Sequence, residues 1–127
     1  MSSSDGQDPL TGAIIGAAID VHVALGPGLL ESIYEECLAA ELVERGFEVK
    51  RQIPVPITYK GLAFPSAFRL DLLVNDVVIV ELKAVERVLP VHQAQLLSHM
   101  KLLQKRVGLL INFNTPLLRD GITRRVL

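Results

Sequence analysis

The stretch that decides the fold is RLDLLVNDVVIVELK, residues 69–83. Its apolar residues predict two β-strands, over 66–74 and 77–83, and Asn75-Asp76 is favourable chemistry for a hairpin turn between them. The run Val77–Val80 is apolar on both faces, which predicts a central strand of the sheet. Asp71 is a charged residue inside an apolar strand, and such a residue needs a partner or a function.

Glu81 and Lys83 lie two residues apart on the second strand, so their side chains project together while Leu82 turns to the core. Asp71 lies opposite Glu81 if the hairpin loop has three or five residues, or if one strand carries a bulge. A two-residue loop would place Asp71 opposite Val80 instead. Two converging carboxylates suit a hard cation such as Mg²⁺, with Lys83 beside the attacking water or the phosphate. The alternative for an isolated Glu-x-Lys is a solvated strand end.

The rest of the chain alternates between helical and strand-like patterns. Apolar residues at helical spacing predict helices over 8–25 and 29–45, with Gly46 as a left-handed C-terminal cap. A period of two predicts an edge strand over 47–59. A third helix from Pro90 to about Gln104 is followed by a buried strand over 107–113 and an edge strand within 117–127.

The strand, helix and strand between residues 77 and 113 predict a right-handed crossover, hence parallel strands within a mixed α/β sheet. We expect the third helix to pack across the sheet by one apolar face. The residues expected in that contact are Leu96, Leu97, Met100 and Leu103 on the helix and Val78, Val80, Leu109 and Ile111 on the strands.

Composition predicts one folded domain over residues 8–127, since the chain has 127 residues and is 50% hydrophobic. Residues 1–7 predict a flexible tail. No segment reads as a signal peptide or membrane span, and Cys37 is the only cysteine, so we expect a cytoplasmic protein with no membrane partner.

Charge is distributed unevenly along the chain. Residues 1–48 hold nine acids and one base, and residues 49–127 hold five acids and twelve bases. A basic half is the electrostatic footprint expected of a nucleic-acid partner, although the same division could help the two halves dock.

One motif carries a family resemblance: Gly28-Leu29-Leu30-Glu31-Ser32-Ile33-Tyr34. With Val80–Ala84, Ala94–Ser98 and Val107–Asn114 it makes the chain, from about Ile14 to Leu127, resemble the GxxExxY proteins of the PD-(D/E)xK superfamily. The resemblance implies a restriction-endonuclease-like mixed sheet of order ααβββαββ, flanked by helices.

The resemblance also implies a metal-dependent nuclease site. It makes Asp71, Glu81 and Glu31 the ligands of Mg²⁺ or Mn²⁺ and Lys83 the catalytic lysine. Gln95 matches the glutamine of a QxxxY element whose tyrosine is replaced here by His99. Other interpretations stay open. Glu31 lies in the first turn of a predicted helix, where an acid interacts favourably with the helix dipole without any metal. Tyr34 is expected to pack in the core, and His22 and His92 are expected to be surface or cap residues.

The alternative function is a catalytically inactive nuclease-like fold that binds nucleic acid or a protein. Its apolar composition would also allow a homodimer. The basic residues that such a module would use include Arg69, Lys101, Lys105, Arg106, Arg124 and Arg125.

Overall fold

A five-stranded mixed sheet lies between two layers of helix in the computed structural model, which describes residues 8–127. The tail predicted over residues 1–7 lies outside the described residues. The elements are α1 (Pro9–Leu25), α2 (Glu31–Glu44), β1 (Val49–Tyr59), β2 (Leu62–Val74), β3 (Val78–Lys83), α3 (Pro90–Leu102), β4 (Val107–Asn112) and β5 (Ile122–Val126), with a short 3-10 helix at Leu118–Gly121.

The strands are ordered β1-β2-β3-β4-β5. Only the β3–β4 pair is parallel among these, and the others are antiparallel. The predicted order ααβββαββ and the predicted parallel pairing across α3 are therefore confirmed. No helix within residues 8–127 has both the length and the apolar character needed to span a bilayer.

Capping residues mark the start of α1 and the C-terminal ends of α1 and α2. Asp8 caps α1, with its Oδ1 accepting a hydrogen bond of 2.9 Å from the backbone N–H of Thr11, and Pro9 fills the first turn. Gly46 follows α2 with a φ of +93°, which is the left-handed cap expected there. Gly26 donates its N–H to the carbonyl of His22 and ends α1.

The β2–β3 hairpin has the register that a shared carboxylate site requires. Leu72 pairs with Val80 and Val74 with Val78, so the loop is the three-residue segment 75–77. Asn75 and Asp76 both take left-handed φ values, of +52° and +58°. Continuing the pairing by one residue sets Asp71 level with Glu81, as the odd-length loop predicted.

Two separate apolar cores cover the two faces of the sheet. Helices α1 and α2 pack on the face that carries Val80 and Leu109, and α3 packs on the face that carries Ile79 and Leu110. The prediction that α3 contacts Val78, Val80, Leu109 and Ile111 is wrong. Both faces of β3 and β4 are buried, so an apolar run could not reveal which face α3 covers.

The α3 helix packs closely on β4 at Gly108. A Cβ atom there would lie 2.7 Å from Met100 Sδ and 2.9 Å from Leu96 Cδ1. Leu96 and Met100 are fully buried, while Leu97 and Leu103 pack only at the edge of this core. The absent side chain at Gly108 therefore sets the distance between α3 and the sheet.

We expect Gly108→Val to lower the melting temperature, because overpacking a core costs about 1–3 kcal/mol. The matched control is Gly12→Ala on α1, where an added Cβ meets no atom within 4 Å. Alanine has the higher helix propensity, so this control should gain up to about 1 kcal/mol. Equal melting temperatures of Gly108→Val and wild type, measured by circular dichroism, would contradict the close packing.

Candidate active site

Tyr34 fixes the turn between α1 and α2. Its side chain is fully buried and stacks on Phe113, with ring centroids 4.4 Å apart. Its hydroxyl donates to the carbonyl of Gly26 and accepts from the N–H of Leu29 at 3.1 Å. The expected core position is confirmed, and the hydrogen bonds hold the start of α2, from which Glu31 projects.

Glu31 meets the end of the central strand. It is half-buried in the first turn of α2, where no side chain caps the helix. Burial raises the pKa of its carboxyl, and the positive charge of Lys83 and the backbone N–H of Ala84 partly oppose that rise. The carboxylate therefore interacts electrostatically with Lys83, in addition to any interaction with the helix dipole.

The Asp71 side chain takes the place of a backbone hydrogen bond between β2 and β3. Its Oδ2 accepts a hydrogen bond of 2.7 Å from the backbone N–H of Leu82. Burial and, after it, the negative charges of Glu31, Glu35 and Glu81 together raise the pKa of Asp71 to about 6 despite this bond. Asp71 is thus a desolvated carboxylate among other carboxylates.

The strand on the other side of Asp71 is irregular. Gln52, at the level of Asp71 on β1, has a φ of +52°, a strained conformation for a residue other than glycine. Its side-chain amide donates to buried Glu35 at 2.8 Å, and Arg51 Nε donates to the same carboxylate at 3.1 Å. Sequence reasoning missed Glu35, although it lies one turn after Glu31 on the same face of α2.

Glu81 is buried against α3. It is 7% exposed, and its Oε2 is hydrogen-bonded to Nδ1 of His99. A solvated strand end is therefore wrong for Glu81. Lys83 is half-buried, and Gln95, one turn before His99 on α3, is half-buried in a groove beside Phe68.

Asn112 holds the chain segment that follows Lys83. Its side chain accepts from the N–H of Val85 at 3.1 Å and donates to the carbonyl of Val85 at 2.9 Å. The N–H of Phe113 donates to the carbonyl of Lys83 at 2.9 Å. This clamp fixes the end of β3, and no sequence pattern pointed to it.

The carboxylates outnumber the permanent cations around Asp71. Electrostatic or hydrogen-bond contacts connect four acids, Asp71, Glu31, Glu35 and Glu81, with the two cations Lys83 and Arg51. An excess of two negative charges fits a divalent ion. Within residues 8–127 no three His, Cys, Asp or Glu side chains already form a cage. Mg²⁺ does not need one, since it usually takes one or two carboxylates and keeps several waters.

Most of the basic residues proposed for a binding surface already have partners inside the chain. Arg124 binds Asp8 and Lys105 binds Asp76. Arg125 contacts the side chain of Gln93, and Arg69 and Arg106 donate to backbone carbonyls. The Arg124–Asp8 and Arg51–Glu35 pairs join the basic part of the sequence to the acidic part, so the uneven charge helps the two halves dock.

The two other histidines have structural positions. His22 is buried, and its Nε2 donates to the carbonyl of Thr115 at 2.8 Å, so its expected surface or cap position is wrong. His92 accepts the N–H of Leu89 on Nδ1 at 3.0 Å and caps α3, as expected.

A mixed sheet whose central strand ends in Glu81 and Lys83, with an acid from α2 beside it, has the architecture of a nuclease-like α/β domain. The family model of the PD-(D/E)XK nuclease superfamily matches residues 8–125, and the chain belongs to this superfamily. Its nucleases generally depend on divalent metal ions. The narrower GxxExxY assignment stays a prediction. Comparisons with curated proteins and with solved structures gave no significant match.

We expect the proton equilibrium of Asp71 to make the fold less stable as pH rises. The folded pKa of about 6 exceeds the ordinary 3.8, so the folded state binds this proton more tightly than the unfolded chain. The stabilisation is therefore present at low pH and lost as pH rises through the folded pKa. In EDTA, the melting temperature of wild type relative to Asp71→Asn should fall between about pH 4 and pH 7. A difference that does not change with pH would contradict the raised pKa.

Proposed function

We propose that this chain is a divalent-metal-dependent nuclease that hydrolyses phosphodiester bonds of nucleic acid. The observation that carries the proposal is the desolvated carboxylate of Asp71 among three other acids, at the level of the strand end where Glu81 and Lys83 lie. Membership of the PD-(D/E)XK nuclease superfamily supports it.

Asp71 and Glu81 are the proposed ligands of Mg²⁺ or Mn²⁺, with Glu31 as a third acid from α2. Such an ion, when bound, lowers the pKa of a coordinated water and offsets charge that develops on the phosphate. His99 engages Oε2 of Glu81, which leaves Oε1 for the ion. The bond of Asp71 to Leu82 engages Oδ2 and leaves Oδ1 in the same way.

Lys83 is the proposed catalytic lysine. Among the cations, Lys83 has the largest lowering effect on the pKa of Glu31, and the Asn112 clamp fixes the backbone beside it. In this position it would orient the attacking water or balance the phosphate charge. Gln95 is the proposed substrate contact from α3. We place this activity in the cytoplasm, where Cys37 would stay reduced.

The second candidate is an inactive fold that binds nucleic acid or protein. His99, which stands where the related element has tyrosine, favours it because the histidine holds one oxygen of Glu81. The internal partners of the basic residues weigh against a broad electrostatic surface. Salt-dependent binding without metal-dependent turnover would identify this function, and solution size would decide whether a homodimer accompanies it.

We expect cleavage of labelled DNA or RNA in Mg²⁺ or Mn²⁺, and a loss of about 10²-fold or more in rate for Lys83→Ala, the loss typical when one charge-stabilising group is removed. Lys60→Ala, on the exposed turn between β1 and β2, is the matched control and should cut at the wild-type rate. If no single-stranded or duplex substrate is cut, or if Lys83→Ala cuts as fast as wild type, the nuclease function is wrong.

We also expect Mn²⁺ to raise the melting temperature of wild type at pH 7.5 or so, by the equivalent of about 2.7 kcal/mol at a hundredfold excess over Kd. Asp71→Asn removes a proposed ligand and should lose most of this rise. Glu86→Gln, an exposed acid-to-amide change, should keep it. An equal rise in wild type and Asp71→Asn would place the ion elsewhere.

A further inference from the structure

A groove runs between α3 and the β1–β2 hairpin, next to the candidate metal site. Its volume is about 430 Å³, within the range of small-molecule sites. Ile57 and Phe68 line it from the hairpin, and Gln95, Ser98 and Lys101 line it from α3. The walls are thus mainly apolar, with an amide, a hydroxyl and an ammonium group at defined places.

His99 connects this groove to the carboxylates. It lines the groove, and its Nδ1 is hydrogen-bonded to Glu81. The Phe68 ring packs against the His99 ring, with centroids 4.8 Å apart at 54°. One imidazole therefore separates a ligand in the groove from a proposed metal ligand.

The second nitrogen of His99 lacks a partner. Its Nε2 atom is buried and makes no hydrogen bond within residues 8–127. A buried polar atom without a partner is unfavourable, so a ligand atom that pairs with it would gain binding energy. Phe68 is 39% exposed on its strand, which leaves its ring room to shift and admit such an atom.

We propose that this groove is a base-binding subsite, in which an unpaired nucleobase of the substrate strand stacks on Phe68 and meets Gln95 and Ser98 with its polar edge. This inference rests on the nucleic-acid substrate proposed above. A nucleobase matches the groove because it has flat apolar faces and a hydrogen-bonding rim, and Lys101 supplies a positive charge for the adjoining phosphate.

The position of the groove restricts the substrate. A base inside a duplex has both faces stacked and its pairing edge occupied, so it can enter only after it is flipped out of the stack, which costs unstacking and unpairing free energy. We therefore expect a strand that is already unpaired next to the cleaved bond, as in single strands, overhangs or flaps. Lys101 has no ion-pair partner within the described residues. Its ammonium group would then pair with the phosphate of the nucleotide whose base lies in the groove.

The test is the affinity of a fluorescent single-stranded thymidine oligomer of about ten nucleotides, a length typical of single-strand sites, against the same oligomer with abasic positions. Binding is measured by fluorescence anisotropy in EDTA, where the proposed cleavage cannot proceed. Phe68→Ala should weaken binding of the base-containing oligomer about 5- to 150-fold, the range for one stacked base. It should leave the abasic oligomer unchanged.

Two further variants separate the groove from general effects. Phe64→Ala removes an exposed aromatic ring from the same strand outside the groove and should bind as wild type. Ala94→Trp fills the groove from the exposed side of α3 and should reproduce the loss, even if Phe68→Ala were to disturb folding. Thymidine 5′-monophosphate should compete much more weakly, since it offers one phosphate in place of a strand.

Equal weakening by Phe68→Ala of base-containing and abasic oligomers, or no weakening by Ala94→Trp, would overturn the subsite. Equally tight competition by the monophosphate would make the groove a free-nucleotide site and overturn the strand assignment. Cleavage is measured separately. If the wild type cuts nucleic acid but Phe68→Ala and Ala94→Trp bind the oligomer as the wild type does, only this inference is refuted. Groove-dependent binding without turnover would support this inference and refute the nuclease.

Discussion

The hydrogen bond from the N–H of Leu82 to Asp71 is the interaction on which the candidate site depends. It satisfies a backbone donor of the central strand with a side chain, so the donor stays paired where the β2–β3 pairing ends. On the outer side of β2, the strained Gln52 interrupts β1 at the same level. The sheet therefore departs from regular pairing where Glu31 and Glu35 of α2 approach it, and the half-buried carboxylate of Asp71 lies among other carboxylates.

Sequence reasoning predicted the fold well because the decisive information was local. Turn chemistry and periodicity determine the elements, and a shared site for Asp71 and Glu81 required the odd-length loop that the register shows. Sequence reasoning predicted the wrong sheet face for α3, because β3 is apolar on both faces. It also missed Gln52 and Asn112, whose roles depend on partners more than 15 residues away in the chain.

His99 changes the meaning of the Glu-x-Lys pattern. The sequence places Glu81 and Lys83 on one side of a strand, and the simplest expectation is that both side chains are exposed to solvent. In the fold, α3 brings His99 onto Glu81, so the acid is buried and oriented while Lys83 stays partly accessible. Helix α3 is placed by the close contact at Gly108, so a packing detail on β4 determines how the carboxylate is held.

The site joins both cores, and this ties stability to function. Glu31 and Glu35 come from the helix layer on one face of the sheet, and His99 comes from the layer on the other. The burial of Asp71 and its repulsion by the neighbouring acids, which raise its pKa, oppose folding at neutral pH, so the apolar layers must offset them. A fold optimised for stability alone would replace these acids with apolar residues. Carboxylates at a strained and desolvated position are what the proposed cation site requires, and the two cores are what make that arrangement stable.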